Sequence, residues 1–304
     1  MVDTVSPIDN ARILADSLNT ATGDRVTTFL LPRFPYCLIQ EQSVHRVIYG
    51  SHSDEPLLIT DSTRKFDRDF SMSAGSTRAI PIKRVITALR EDPYIPDWTR
   101  NQKGQVGIND FTQEEKDRFT AEWLEEMELA ISYAQWRHEQ GIAKQDANRA
   151  LIPWLRIPVI LTATDYSNFF ELRTASNVQP AFREVALEMQ HLYAESIPDE
   201  LDPGEWHIPL LRTKDVLSLS LIDSIKVAAA RCARGSLANH LGQFDYEADF
   251  DLHDMLVSQK HSNPLEHQCK ALPMNVRCRN LSGFMSYRVH VEDAIPILTL
   301  SPQT

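Results

Sequence analysis

One segment of the chain has the pattern of a long amphipathic helix. Thr112 and Glu115 stand three residues apart, the spacing of a capping box, in which each side chain accepts a hydrogen bond from the other residue's backbone N–H. Apolar side chains then recur at helical spacing until Gly141, namely Phe119, Trp123, Met127, Ile131 and Ala134. We therefore predict a core helix here. Its aromatic stripe is interpreted as packing, because a cofactor box is the rarer use of such a stripe.

Shorter helices and strand-like runs surround this segment. Helices are predicted at PIKRVITALRE (81–91), KQDANRALIP ending at Pro153, QPAFREVALEMQHLYAES (179–196), DSIKVAAARCARGS (223–236) and DFDLHDMLVSQK (249–260). PVILTATDYSNFFELR is strand-like and then helical, and TTFLLP opens with a β-like run. Periodicity does not decide whether the apolar stretch after TTFLLP is a buried helix or a strand. Beyond residue 267 we predict a final β-like stretch.

Three segments are predicted to lie between these elements. Residues 47–70 have the composition of a long loop or small hairpin, and the stretch DPYIPDWTRNQKGQVGIND is irregular. IPDELDPGEWHIP is rich in proline and acid, which is typical of an exposed joint. We therefore predict one composite domain in which a joint at 194–222 connects residues 1–193 to residues 223–304.

Charge and hydropathy exclude some classes of protein. The formal net charge of −11 and a pI near 5.4 disfavour a general nucleic-acid binder, so local arginines must bind any phosphate ligand. No apolar run approaches the roughly 20 residues that cross a bilayer, and the first residues lack a signal-peptide pattern. We therefore expect a cytoplasmic protein with no membrane partner. The four cysteines form no C-x-x-C pair, which favours reduced thiols.

The stretch HSNPLEH, residues 261–267, contains two histidines and a glutamate. Zinc-binding helices use spacings such as H-E-x-x-H, and Pro264 would interrupt a helix between these two histidines. Proline is tolerated at the first helical position, so Asn263 would be the N-cap and Glu266 the third residue of a capping box. We predict a helix start and no metal. A zinc hydrolase that uses His261 and His267 is the alternative.

Arginines next to small polar residues are candidate ligand contacts. They occur at His45-Arg46, Ser76-Thr77-Arg78, Arg149 and Arg173. A guanidinium fork matches a phosphate or a pyrimidine carbonyl edge. Taken singly, each arginine is more often a surface or ion-pair residue.

Five stretches together carry a family resemblance: HSNPLEH, AAARCA (228–233), HR followed by FSMSAGSTRA, NRALIP, and NFFELR followed by VQPAFRE. This set resembles the flavin-dependent thymidylate synthase family of the ThyX type. In that family, A-A-R-x-S and H-x-[ST]-P-F-E-H precede R-H-R-x-x-S-x-N-E-x-S-x-R-Y. Here the first pair comes last, which suggests a circular permutation of the kind seen in some phage-type members.

The resemblance implies a fold and an activity. The fold would be α/β (α+β), with a central mixed or antiparallel sheet flanked by helices. The protein would be a homotetramer with active sites between subunits, in the host cytoplasm if a phage encodes it. Each site would bind FAD and dUMP and convert dUMP to dTMP by reductive methylation, with methylenetetrahydrofolate as carbon donor and NADPH as reductant.

The resemblance also implies site residues. The cofactor-binding residues would be His45, Arg46, Asn168, His261, Asn263 and Glu266. The substrate-binding residues would be Glu41, Ser76, Thr77, Arg78, Arg149 and Arg173, with catalytic roles for Ser76, Arg78 and Arg173.

Several positions depart from the family pattern. Val44 replaces the first arginine of R-H-R, Ser73-Ala74 replace Asn-Glu, Ala79 replaces the tyrosine and Ala233 replaces the serine of A-A-R-x-S. The missing carboxylate could position the pyrimidine or relay a proton, a role open to Glu41. The segment 47–70 is either a lid or a passive insertion. Cys37 lacks the neighbouring histidine of a nucleophilic site, and we expect a buried small hydrophobe there.

Two alternatives to thymidylate synthesis stay open. One is hydroxymethylation of dUMP or dCMP for a modified genome, in which water replaces the final hydride. The other is a noncatalytic nucleotide-binding protein that has lost flavin chemistry. The substitutions at Val44 and Ala233 favour the latter.

Overall fold

The computed structural model describes residues 10–39, 70–75, 80–103, 107–237 and 242–297. Within this part of the chain, five strands form the main sheet in the order β3-β4-β2-β1-β5. Their bounds are Arg12–Asn19 (β1), Arg25–Pro35 (β2), Ser71–Ala74 (β3), Arg156–Ala163 (β4) and Asp199–Leu201 (β5). Pairing is antiparallel except between β1 and β5, which are parallel. The sheet is therefore mixed, and helices cover it, as predicted.

Nine α-helices lie in the described residues. Their bounds are Ile82–Glu91 (α1), Gln113–Glu139 (α2), Lys144–Asn148 (α3), Ser167–Arg173 (α4), Pro180–Glu195 (α5), Thr213–Ser218 (α6), Leu221–Arg234 (α7), Tyr246–Ser258 (α8) and Tyr287–Glu292 (α9). Short 3₁₀ turns occur at Tyr36–Leu38, Arg149–Trp154 and Asn263–Glu266. Except at Pro153 and in HSNPLEH, the predicted helices are confirmed to within a few residues at their ends. Among the described helices, none is both long and apolar enough to cross a membrane.

The two faces of the main sheet pack against different helices. Side chains alternate along a strand, so Phe29 and Leu31 of β2 lie on one face with Val159 and Leu161 of β4. This face packs against α4 and α5 and forms the largest apolar cluster among the described residues. Residues of the opposite face, Leu30 and Ile160, pack near Cys232 of α7. The second face therefore lies next to the C-terminal third of the chain.

The long helix α2 begins as predicted but is less buried than predicted. Thr112 Oγ1 accepts from the Glu115 N–H at 3.2 Å, and Glu115 Oε2 accepts from the Thr112 N–H at 2.9 Å. Met127, Ile131 and Ala134 are buried, whereas Phe119 and Trp123 are half-buried. The capping box is confirmed. The apolar stripe that was expected to lie in the core is fully buried only in its second half, from Met127 to Ala134.

Two further predictions are wrong, and a third holds only in part. The helix expected to end at Pro153 gives way to a 3₁₀ turn that includes this proline, because Leu151 and Trp154 pack into the α2 cluster. Cys37 is exposed. The predicted exposed joint is partly buried, since β5 pairs with β1 and the strand Trp206–His207 (β6) is buried.

The C-terminal third adds two small sheets. Within the described residues, β6 pairs with Cys269–Ala271 (β7), which pairs in turn with Phe284–Ser286 (β10). Arg277–Cys278 (β8) and Leu281–Ser282 (β9) form a short hairpin. The predicted final β-like stretch is therefore confirmed as far as Ser286, whereas Tyr287–Glu292 forms the helix α9, which was not predicted.

A buried ionic network joins α6, α7 and α8. Arg231, fully buried, donates to Asp215 Oδ2 at 2.6 Å, to Asp249 Oδ2 at 3.2 Å and to the Leu210 carbonyl at 2.9 Å. Burial raises the pKa of Asp215, but hydrogen bonds from Arg212, Arg231 and other partners outweigh burial and hold it well below its ordinary value. Asp215 is therefore ionised in the folded protein.

We predict that Asp215→Asn lowers the free energy of unfolding by about 3–5 kcal/mol, because it leaves the buried guanidinium of Arg231 with an incomplete counter-charge. Urea unfolding at pH 7 measures the change. Asp110→Asn removes an exposed ion pair with Arg100 and serves as the control, with an expected cost of about 1 kcal/mol or less. Equal costs for the two variants would contradict this account.

Candidate functional site

A cavity of about 470 Å³ opens where three segments that are distant in sequence meet. The segments are β3, the end of α7, and the end of α8 with the turn that follows it. The lining residues are Met72, Ser73, Ala74, Ala233, Leu256, Lys260, His261, Ser262, Asn263 and Pro264. Small-molecule sites commonly have volumes of roughly 300–1,000 Å³.

Two glycines bring β3 and α7 together at Pro158 of β4. A Cβ on Gly75 or on Gly235 would lie 2.9 Å from the Pro158 ring, so both segments approach the ring in a way that only glycine allows. Gly235 also ends α7 in the left-handed region, at φ 65°. Ala74, one residue before Gly75, and Ala233, two residues before Gly235, consequently line the same cavity.

The third wall is the turn after α8. Lys260 adopts φ 59°, and the His261 N–H donates to the Leu256 carbonyl at 2.8 Å. This left-handed residue ends the helix and turns the chain toward β3. His261 and Asn263 are exposed there, while Leu265 packs against α7.

HSNPLEH forms no capping box and no regular helix. It contains a single 3₁₀ turn whose N-cap is Ser262, and the Ser262 side chain accepts no capping hydrogen bond from the described backbone. Glu266 instead accepts from Arg288 at 2.5 Å, and this ion pair holds its carboxylate away from the backbone position that we predicted. The predicted capping box is therefore wrong.

His267, the last residue of this motif, is buried and fixed. Its Nδ1 hydrogen-bonds Thr162 Oγ1 at 2.8 Å, and its Nε2 hydrogen-bonds Ser73 Oγ at 2.9 Å. Both ring nitrogens are thus engaged by hydroxyls rather than turned toward His261. In the described residues, no group of three or more histidine, cysteine or acidic side chains could bind a metal ion.

The hydrogen bonds of His267 belong to a buried chain that crosses the main sheet. Thr162 Oγ1 lies 2.7 Å from Thr28 Oγ1, which lies 2.8 Å from His207 Nε2. His207 Nδ1 lies 2.9 Å from Ser17 Oγ. Six side chains are therefore linked by five hydrogen bonds. We call this the buried polar chain, and it comprises Ser17, His207, Thr28, Thr162, His267 and Ser73.

Both histidines of the buried polar chain are neutral. Burial lowers the pKa of His207 to about 4, although Asp16 opposes this shift. Burial lowers the pKa of His267 to about 3, and the nearby His207 adds to the effect. In the unfolded chain both would titrate near the ordinary value, about 6.5. Protonation therefore favours the unfolded state below that pH.

This difference predicts a loss of stability in mild acid. Between pH 7 and pH 5 the unfolded state takes up protons that the folded state does not, which costs about 2 kcal/mol for each of the two histidines. His253 and His290, whose pKa values burial also lowers, act in the same direction. Urea unfolding at both pH values measures the effect. The exposed His191 provides a control, since His191→Gln removes only an exposed pair with Glu195 and should change the loss by about 0.5 kcal/mol or less. Equal stability at pH 5 and pH 7 would contradict neutral buried histidines.

The chemistry of the lining suits a planar heterocycle with carbonyl acceptors. Ser73, His261, Ser262 and Asn263 provide hydroxyl, ring and amide groups, and Lys260 provides a positive charge. Met72, Leu256 and Pro264 provide apolar surface. Among the described lining residues no carboxylate is present. The residues present therefore fit the ring of a flavin or a pyrimidine, both of which have such carbonyl edges.

The structure brings together only part of the predicted site. His261 and Asn263 line the cavity, whereas Glu266 lies in its ion pair with Arg288. Asn168 and Arg173 are buried on α4, where the Arg173 guanidinium lies 4.3 Å from the Phe182 ring centre. Arg149 is exposed beside Asp146 and, like Asn168 and Arg173, does not line the cavity.

The other predicted residues lie outside the described part of the chain. These are Glu41, His45, Arg46, Ser76, Thr77 and Arg78, together with Val44, Ala79 and nearly all of the segment 47–70.

Sequence reasoning named His267 and, as a departure from the family pattern, Ser73, but it missed the other four members of the buried polar chain and it missed Lys260 and Ser262. The sequence did contain a sign of two members of the buried polar chain, because Thr28 and Thr162 are polar residues within strongly apolar strands. A threonine at such a position needs a hydrogen-bond partner when it is buried. The identity of the partners, His207 and His267, depends on contacts between distant segments.

Comparison with known proteins adds little. No protein-family model matches this chain, and no curated protein matches it. The chain is similar to the solved structure of the UMP/dUMP methylase PolB from Streptomyces cacaoi bound with 5-Br UMP, with 15% identity and a TM-score of 0.44 over 61% of this chain and 88% of that one. For PolB bound with 5-Br dUMP the identity is 18% and the TM-score 0.40, over 56% and 66% of the chains. These TM-scores are too low to support an argument about fold or activity.

Proposed function

We propose that this protein is a flavin-dependent enzyme that methylates dUMP at C5 and releases dTMP. The observation that carries the proposal is the cavity. Positions from three aligned elements of the flavin-dependent thymidylate synthase pattern, separated by up to 190 positions in sequence, contribute to one cavity. They are His261-x-Asn263, and Ser73-Ala74 and Ala233, where this sequence has other residues than the family. Positions that were aligned to the family only by chance would have no reason to meet.

The cofactor and co-substrates follow from the same resemblance. FAD would occupy the cavity side lined by His261 and Asn263, with His45, Arg46, Asn168 and Glu266 proposed as further contacts or supports. When bound and reduced, the flavin would supply a hydride, with NADPH as reductant and methylenetetrahydrofolate as carbon donor. The residues of this chain would bind and orient the rings and polarise their carbonyl groups.

The nucleotide would lie on the β3 side. Ser76, Thr77 and Arg78 come after β3 in sequence, with only Gly75 between them. A guanidinium fork matches a phosphate or a uracil carbonyl edge. Glu41, Arg149 and Arg173 are the other proposed contacts. We propose catalytic roles for Ser76, Arg78 and Arg173, and we place the enzyme in the cytoplasm, that of the host if a phage encodes it.

The assembly is part of the proposal. Arg149 does not line the cavity of its own chain, and its side chain is 66% exposed. In a homotetramer with sites between subunits, another copy would supply this arginine to the cavity. An exposed arginine at a subunit boundary is consistent with that arrangement.

One observation favours an alternative. Ala74 occupies the position of the family's glutamate, and no carboxylate is present among the described residues that line the cavity. Without a carboxylate beside the base, the site could bind nucleotide and flavin and not methylate, or could transfer a hydroxymethyl group.

Product mass tests the proposal against these alternatives. Purified protein is incubated with FAD, NADPH, methylenetetrahydrofolate and either dUMP or dCMP. The proposal predicts a gain of one methyl group on dUMP. A gain of a hydroxymethyl group on either nucleotide would support the modified-base alternative, and unchanged mass with bound flavin would support the noncatalytic one.

Arg78→Ala is expected to weaken dUMP binding by about 10–100-fold while flavin stays bound, because a charge-assisted hydrogen bond contributes about 1.5–3 kcal/mol. Equilibrium dialysis measures dUMP, and visible absorbance measures retained FAD. Arg118→Ala, which changes an exposed arginine on α2, is the control and should alter neither. Unchanged dUMP affinity in Arg78→Ala would overturn the assignment of the S-x-R motif.

Sites between subunits also predict complementation. Arg149→Ala and His261→Ala each change an exposed side chain, so neither is expected to disturb folding, and each should lower methylation by about tenfold or more. Co-expression of the two variants should restore part of the activity, because some mixed sites contain both native residues.

The control pairs Arg149→Ala with the double variant Arg149→Ala/His261→Ala, in which no site has the arginine. Co-expression of this pair should restore no methylation activity. If the first pair also shows no recovery, Arg149 and His261 do not act from different subunits.

A further inference from the structure

The buried polar chain contains one more proton than it has hydrogen bonds. Each serine or threonine hydroxyl carries one proton, and each neutral histidine ring carries one. Six members therefore hold six protons, and five hydrogen bonds use five of them. One hydroxyl must direct its proton out of the chain.

Access to the cavity, and not burial alone, decides which hydroxyl this is, because Ser73 is 7% exposed and Ser17 is 5% exposed. Ser17, Thr28 and Thr162 are buried, and within the described residues their hydroxyls have no hydrogen-bond partner outside the chain. A spare proton on any of them would be an unsatisfied buried donor, which is costly. Ser73 is the chain member that lines the cavity, where a ligand can accept a hydrogen bond.

This fixes the direction of every bond. Ser17 donates to His207 Nδ1, His207 Nε2–H donates to Thr28, and Thr28 donates to Thr162. Thr162 then donates to His267 Nδ1, and His267 Nε2–H donates to Ser73. Both histidines must therefore carry their proton on Nε2.

We propose that the buried polar chain makes the Ser73 hydroxyl an obligate hydrogen-bond donor to the cavity, so that the site selects a ring with a carbonyl acceptor, uracil, over one with an amino group, cytosine. The naming of the two bases rests on the proposed function, whereas the donor direction does not. Ser73 lies on the nucleotide side because the nucleotide-binding S-x-R motif begins three residues later in the same segment.

The selection has a simple physical basis. The 4-carbonyl of uracil accepts the Ser73 proton, whereas the 4-amino group of cytosine would present a second donor to it. Ser73 cannot reverse its direction cheaply, since reversal would move the spare proton to a buried hydroxyl. A site that hydrogen-bonds one polar group rejects the analogue that leaves its own group unpaired.

The first test needs no ligand. Nitrogen-15 NMR of selectively labelled histidine in the ligand-free protein distinguishes Nε2–H from Nδ1–H rings at pH 7. The His267 signal is assigned by its shift in Ser73→Ala. The expected result is two neutral Nε2–H rings for His207 and His267, and an Nδ1–H ring at either position would overturn the proposal.

The second test measures dissociation constants for dUMP and dCMP by equilibrium dialysis. The native protein is expected to prefer dUMP by about tenfold or more, and Ser73→Ala to lose most of that preference by weakening dUMP alone. Ser73→Thr keeps the donor and should keep the preference. Ser71→Ala is the matched control, because Ser71 is a buried serine two residues earlier on β3 that does not belong to the buried polar chain and accepts a hydrogen bond from Asn280. This variant should also keep the preference for dUMP.

The outcomes separate the two claims. A preference unchanged by Ser73→Ala, or lost equally in Ser71→Ala, would overturn the role of Ser73. If neither dUMP nor dCMP binds, the proposed function fails, and the NMR result still decides whether Ser73 is a donor.

Discussion

The hydrogen bond between Thr28 and Thr162 at the centre of the main sheet is the contact on which the rest of the site depends. It joins paired residues of β2 and β4, and it is extended on both sides by a histidine from the C-terminal third of the chain. Buried hydroxyls and imidazoles must be paired, so the sheet and the C-terminal third can pack together only in the register that completes the chain. That register places Ser73 and the turn around His261 at one cavity.

Much of the fold could be predicted from local signals. The capping box of Thr112 and Glu115, the helices and the strand Arg156–Ala163 follow from spacing, caps and prolines that act within a few residues. Predictions failed where distant contacts decide. Trp206 and His207 lie in a segment whose composition is typical of an exposed joint. The Trp206 indole nevertheless packs against α7, and the His207 imidazole hydrogen-bonds side chains of β1 and β2. Similarly, Glu266 has the spacing of a capping residue but pairs with Arg288, 22 positions away.

The candidate site was predictable only in outline. His261 and Asn263 were identified through a family pattern, and they line the cavity. Ser73 and Ala233 were noted only as departures from that pattern, and both line the same cavity. Their meeting depends on two glycines that approach one proline, which no local pattern reveals. Ala74 stands where the ThyX-type family has a glutamate, so this carboxylate is absent here. A permuted order of the sequence elements is compatible with the same cavity, because the cavity depends on contacts in space and not on the order of the elements along the sequence.

We propose above that these converging segments form a flavin and nucleotide site. The most direct measurement is the visible absorption spectrum of purified protein after incubation with FAD and removal of free cofactor, followed by titration with dUMP. The account predicts retained flavin absorption that shifts as dUMP binds beside the ring. A protein that retains no flavin, alone or with dUMP or dCMP present, would contradict the account.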